Sequence, residues 1–129
     1  MQIVLPSGLI ITAAVFQKPW ELCSGLMGLP SMPQDHGALF IHPRTTQQRY
    51  WTFGCLFPLD IAWLDENFKV VEICTDVPPC NESAPWWPRK WFSSCPRYGG
   101  NFPARYVLEV NAGVLWANGV QVGTVLSLS

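Results

Sequence analysis

Two carboxylates stand in apolar stretches of the sequence: Asp60 between Leu59 and Ile61, and Glu109 within Tyr106-Val107-Leu108-Glu109-Val110. A carboxyl in such a setting either stays ionised with hydrogen-bonding partners or is held neutral with a raised pKa. General-acid duty is one use of that arrangement. The structural use, accepting backbone N–H groups or pairing with Arg105, is the expectation for Asp60, and the same holds for Glu109. His36 and His42, with Asp35 alongside, suggest a metal site or an acid–base pair. Metal sites need three or more converging ligands, and six positions along a strand span roughly 20 Å. Exposed turn histidines are therefore expected, with no metal.

The five cysteines, Cys23, Cys55, Cys74, Cys80 and Cys95, show neither a Cys-x-x-Cys nor a Cys/His zinc spacing. A nucleophilic thiol needs a base in reach and an electropositive setting. Cys55 and Cys74 sit instead in apolar segments, where a thiol behaves as a small hydrophobe. Ser93-Ser94 lacks the glycines of a nucleophile elbow. No catalytic constellation emerges, and no cofactor is expected. Cys80 and Cys95 flank a Pro- and Trp-rich stretch; an oxidising compartment would close it with a disulfide, and a reducing cytosol would leave thiols.

Trp86, Trp87, Trp91 and Phe92 are the residues best suited to recognition, because aromatic anchors bury a large rigid area at small entropic cost. They are candidate protein contacts, and capping of the chain's own core is the competing use. With Arg89, Lys90 and Arg97 they resemble a stacking platform for single strands. The remaining cations are scattered, however, and the net charge is −1, so nucleic acid is not expected. Trp51, Asp60 and Arg105 form a second candidate set, lining a pocket at a barrel mouth.

The elements that must position these residues are mostly strands. At 129 residues the chain is the size of one domain, 1–129, and its 49% hydrophobic against 13% charged composition excludes disorder. Met1 to Leu5 and Leu9 to Val15 read as a hairpin around Pro6-Ser7-Gly8. A short helix is predicted from Pro19 to about Gly28, and a buried strand from Gly37 to His42 ended by Pro43. Tyr50 to Phe57, Leu59 to Leu64 and Lys69 to Thr75 follow as strands, giving an antiparallel meander. Val77 to Pro103, dense in proline and without either period, reads as a long loop insertion. Arg105 to Val110 returns as a strand, Ala112 to Asn118 as a helix closed by Gly119, and Val120-Gln121-Val122 with Val125-Leu126 complete the sheet. The expected fold is mainly β: a compact antiparallel β-barrel-like domain with two short helices and a long Pro/Trp-rich loop.

Four stretches in order then carry a resemblance. They are Gly25-Leu26-Met27 with Leu29-Pro30-Ser31-Met32-Pro33-Gln34-Asp35-His36-Gly37-Ala38-Leu39-Phe40; Pro58-Leu59-Asp60-Ile61-Ala62-Trp63-Leu64-Asp65; Pro78-Pro79-Cys80 with Cys95-Pro96-Arg97-Tyr98; and Ala104 to Gly113 with Gly119-Val120-Gln121-Val122-Gly123. Together they resemble the domain of unknown function 192 family, small mainly-β proteins without an established activity, over most of the chain after residue 10. The resemblance implies a β-barrel-like fold with short helices and no activity to carry over. The chain departs from the family pattern Phe-Trp-Met-Lys/Arg-Asn-Thr, having Tyr50-Trp51-Thr52-Phe53-Gly54-Cys55 instead. The basic residue and the amide are gone, so a polar site built on them is expected to be lost.

The sequence thus points to a non-enzymatic protein-binding or self-associating module contacting its partner through residues 86–92. An accessory role in a larger assembly such as a viral particle is inferred from divergence alone. The alternative is a small-ligand-binding barrel. Met1 to Phe16 lacks the basic region and cleavage site of a signal peptide and is too short to cross a bilayer as a helix, so the expected location is the cytoplasm or a particle assembled there, away from membranes.

Overall fold

The computed structural model describes residues 1–80 and 95–129. Strands β1 (Gln2–Val4), β2 (Ile10–Phe16), β3 (His36–Tyr50), β4 (Leu59–Leu64), β5 (Val70–Val77), β6 (Tyr98–Asn111) and β7 (Ser127–Leu128) form one sheet in the order β5-β4-β6-β3-β2-β1-β7. Helix α1 (Pro19–Ser24) lies between β2 and β3, and α2 (Val114–Ala117) follows β6. The fold is mainly β, and the sheet curls into a half-barrel. Just before β7, Val70 N–H donates to Thr124 O at 2.8 Å and Leu126 N–H to Phe68 O at 2.9 Å, which ties the start of β5 to the strand that pairs with β1. No helix among the described residues is long and apolar enough to cross a membrane.

Pairing begins with the β1–β2 hairpin, whose turn places Gly8 at φ +94°, a conformation that costs glycine little. β2 and β3 then pair in parallel, Thr12 opposite His36 through Phe16 opposite Phe40. This departs from the expected all-antiparallel meander. A parallel pair needs a long crossover, and α1 with residues 25–35 supplies it. The crossover's helix is opened by Glu21, whose carboxylate accepts the Lys18 N–H at 3.0 Å and the Gln17 N–H at 3.2 Å. Those bonds hold the Glu21 carboxyl below the usual carboxylate range.

Strand β3 does not stop at Pro43. Its pairing with β6 jumps from Ile41–Tyr106 to Thr46–Ala104, so the proline sits in a bulge where no ladder N–H is required. Three further expectations are corrected. Residues 51–58 are not a strand; β3 ends at Tyr50 and the following segment is fastened by the Thr52 Oγ1 bond to Pro78 O and by Gly54 N–H to Cys80 O. The segment read as loop to Pro103 becomes β6 at Tyr98. Residues 120–122 form no strand, and only Val125 and β7 add to the sheet's edge.

The sheet is covered on both sides, which is why β4 is buried at all six positions. One face carries Ile3, Ile11, Leu39, Ala62, Leu64, Leu108 and Val110 with Leu115 of α2. The other carries Ala38, Phe40, Ile61, Trp63 and Val107, roofed by Leu26 and Cys55. Gly99, at φ +73°, lies flat against Trp63; a Cβ there would stand 2.1 Å from the indole. Cys80 and Cys95 are joined by a disulfide, S–S 2.05 Å, and both are buried.

Candidate functional site

The two buried acids, alike in sequence, sit on opposite faces of the sheet. Asp60 shares its face with Ala62 and Leu64 and is fully buried. Its Oδ1 accepts the Asp76 N–H at 2.9 Å, and its Oδ2 accepts the Gly113 and Leu115 N–H groups at 3.0 and 3.1 Å. Three donors converge on it, so the carboxylate fastens the β5 end and the start of α2 to β4. This is the structural role expected of it, delivered by backbone N–H groups.

Glu109 faces the other way. On β6 it stands between Ala38 of β3 and Ile61 of β4, two residues along from Val107 of the second core cluster. Its exposure is 3%, and among the described residues its carboxyl makes no hydrogen bond or ion pair. Burial alone pushes its pKa up from 4.5 to about 8. The expectation of satisfied N–H partners therefore fails for Glu109: as the central strand's residue, its neighbours' N–H groups are spent on the β-ladders on either side.

Its carboxyl lines a cavity of about 230 Å³ beneath α1 and the 51–58 connection, with Phe40, His42, Tyr50, Trp51, Phe53 and Cys55 among the walls and Arg49 and Arg97 on the exposed side. His42 is buried, not an exposed turn residue, and its Nε2 lies 2.5 Å from the Tyr50 hydroxyl. Burial lowers the imidazole pKa, which keeps the ring neutral near pH 7. Burial, with a smaller contribution from Glu109, raises the Tyr50 phenol pKa and pushes the Cys55 thiol up to about 12. Thr52 holds the wall in place through Pro78, Arg97 lies 4.1 Å from the Trp51 ring, and Trp51 and Phe53 pack at 5.2 Å between centroids. The Arg49 stem runs along Gly100, which has no Cβ to stand in its way and adopts a φ of +77°.

Of the expected pocket residues, only Trp51 lines this cavity. Asp60 is on the far face, and Arg105 lies outside the cavity, donating through Nε to the His42 carbonyl beside a separate depression with Gln17, Ile41 and Pro43. Trp86, Trp87, Trp91 and Phe92 lie outside the described residues. Sequence reasoning missed Tyr50, Phe53, Arg49 and Glu109 as pocket residues. The readable signal was the pattern departure itself, since Phe53 stands where the family pattern has Lys or Arg and lines the same cavity as Glu109. His36 is exposed and 3.3 Å from the Asp35 carboxylate. No group of three His, Cys, Asp or Glu side chains converges as for a metal among the described residues.

The family model for domain of unknown function 192, described as "Uncharacterized ACR", matches residues 3–128. The chain belongs to this family. No curated protein matches the sequence. Among solved structures, a protein of unknown function from Novosphingobium aromaticivorans superposes with a TM-score of 0.80 at 20% identity, covering 98% of this chain and 81% of the other. A Sinorhizobium meliloti protein, named as a candidate transcription regulator, superposes at 0.81 and 26% identity, covering 98% and 90%. The family member thus keeps the common fold while its cavity combines a buried acid with an aromatic wall.

Proposed function

We propose that this DUF192 protein is a small-ligand-binding module whose site is the cavity between β3, β6, α1 and residues 51–58. The observation that carries the reading is Glu109: a carboxyl buried without a hydrogen bond is costly, and such exceptions need a reason. A ligand group in the cavity supplies the missing partner. The aromatic walls provide flat apolar contact, as small-molecule sites usually do around a few placed polar groups.

The chemistry favours binding over turnover. Cys55, the thiol in the cavity, is held protonated far above neutral pH, so it is no thiolate nucleophile. The neutral His42 faces Tyr50 and not the thiol. The protein-contact role of Trp86, Trp87, Trp91 and Phe92, with self-association or a place in a particle, falls on residues outside those described, and no geometry carries it.

The test is a fragment screen followed by ¹H–¹⁵N NMR. Binding at this site moves the Trp51 indole, Phe53 and Cys55 resonances together. Fragments that instead collect only in the apolar groove of Phe16, Met27 and Met32, a separate space of about 790 Å³, would defeat the proposal.

A further inference from the structure

Resting on the ligand-binding reading, we infer that the cavity takes an organic cation: a primary ammonium or amidinium on a flat apolar body, with the charged group on the Glu109 carboxyl and the body against Phe40, Tyr50, Trp51 and Phe53.

Glu109 is 3% exposed, lines the cavity and has no partner among the described residues. The other proton-bearing groups around it add no cation. His42 is kept neutral by burial and is engaged with Tyr50, while Tyr50 and Cys55 are driven further toward their neutral forms, partly by Glu109 itself. Among the described residues every acidic group facing the space is thus penalised by burial for ionising, a penalty that a cation seated beside the Glu109 carboxyl would relieve.

Neither arginine supplies it. Arg49 is exposed, with its stem held along Gly100, and Arg97 is exposed with its guanidinium on the Trp51 ring. Both therefore stand on the open side, whereas the unpartnered carboxyl is buried. A ligand ammonium entering past them meets a carboxyl in low dielectric and ring faces that attract cations. The Phe16–Phe40 and Phe40–Tyr50 packing, at 5.2 and 5.3 Å between centroids, fixes that aromatic surface in advance.

Seating a cation also moves a proton. The Glu109 carboxyl is protonated at neutral pH and becomes a carboxylate beside the ammonium, releasing its proton to solvent. The groups facing it are His42, Tyr50 and Arg49 of β3, Cys55 of the connection, and Arg97; burial favours the neutral forms of His42, Tyr50 and Cys55. Affinity should therefore rise close to tenfold per pH unit below pH 8 and level off above it.

The experiment titrates the full chain, disulfide intact, with benzylamine, benzyl alcohol and benzoate, followed by ¹H–¹⁵N NMR at pH 6 and 8.5, in the wild type and in Glu109→Gln. The inference expects benzylamine to bind at least tenfold tighter than benzyl alcohol at pH 8.5, to weaken by tenfold or more at pH 6, and to lose its advantage in Glu109→Gln. Benzyl alcohol or benzoate binding as well as benzylamine overturns the cation assignment and leaves the ligand-binding reading standing. An amine preference that survives in Glu109→Gln overturns it as well. If none of the three probes binds, the cation assignment falls; if, in addition, no fragment of a wider screen enters the cavity, the ligand-binding reading falls too. The amine-against-alcohol comparison in the wild type needs no variant to fold.

Discussion

Replacing Glu109 by Gln removes the titration that the cavity imposes, and the consequence for stability can be worked out with its sign. The folded-state pKa is raised from 4.5 to about 8. Below pH 4.5 the carboxyl is protonated in both folded and unfolded chains, and pH has no leverage through it. Between pH 4.5 and 8 the unfolded chain gives up this proton while the folded chain keeps it, so stability falls as pH rises, by about 1.4 kcal/mol per pH unit. By pH 7 the accumulated cost is roughly 3 kcal/mol, and above pH 8 the curve flattens because both states are ionised. Gln has the same shape and does not titrate. The difference in stability between Glu109→Gln and wild type therefore isolates this group from every other titration. For a 129-residue chain each kcal/mol moves Tm by about 4 °C, so the variant should gain on the wild type by about 5 °C per pH unit between pH 5 and 8. Calorimetric melts at half-unit pH steps provide the assay. A Tm difference that stays constant from pH 5 to 8 would mean that Glu109 is ionised in the folded protein and has a partner, and the unpaired-acid argument would be refuted.

Other perturbations report on the frame around the cavity. Asp60→Ala strands three backbone N–H groups and should cost about 3–5 kcal/mol in urea unfolding, since bonds to a carboxylate are among the stronger ones. Reducing the Cys80–Cys95 bridge, which closes a 15-residue separation, should lower stability by about 3 kcal/mol, read as a lower Tm with reductant than without. Gly99→Ala sets a methyl into the Trp63 indole at a positive φ and should destabilise by about 2 kcal/mol or more in the same assay. Cys55, held to about 12, should resist iodoacetamide at pH 8 in the native protein and react once unfolded, as mass spectrometry of digested samples will show.

Much of the fold is legible where local chemistry decides it. The Pro6-Ser7-Gly8 turn and the apolar run that surrounds Asp60 in β4 are written in residue types that the backbone needs at those points. What sequence could not show depends on partners distant along the chain. The parallel β2–β3 pairing is set by a crossover of some twenty residues and not by either strand's pattern. Pro43 reads as a stop because the bulge that tolerates it belongs to the pairing with β6. Gly99 and Gly100 read as loop residues, yet one gives way to Trp63 and the other to Arg49 within a strand.

The candidate site was harder to read for the same reason. Asp60 and Glu109 have near-identical local settings, and only the tertiary structure hands three N–H groups to the first and none to the second. His42 looked like an exposed turn histidine because its partner, Tyr50, lies eight residues on, beyond the bulge. The family-pattern departure at Phe53 did point at this place. The missing basic residue and amide imply the loss of a polar site built on them, and the cavity holds a carboxyl facing an aromatic wall.

The most direct measurement is the side-chain ¹³C shift of Glu109, followed by NMR through a pH titration with and without saturating benzylamine. The expected result is a midpoint near 8 for the free protein that drops by two pH units or more when the amine is bound. A free-protein midpoint at the ordinary carboxylate value, or one that the amine leaves in place, would contradict it.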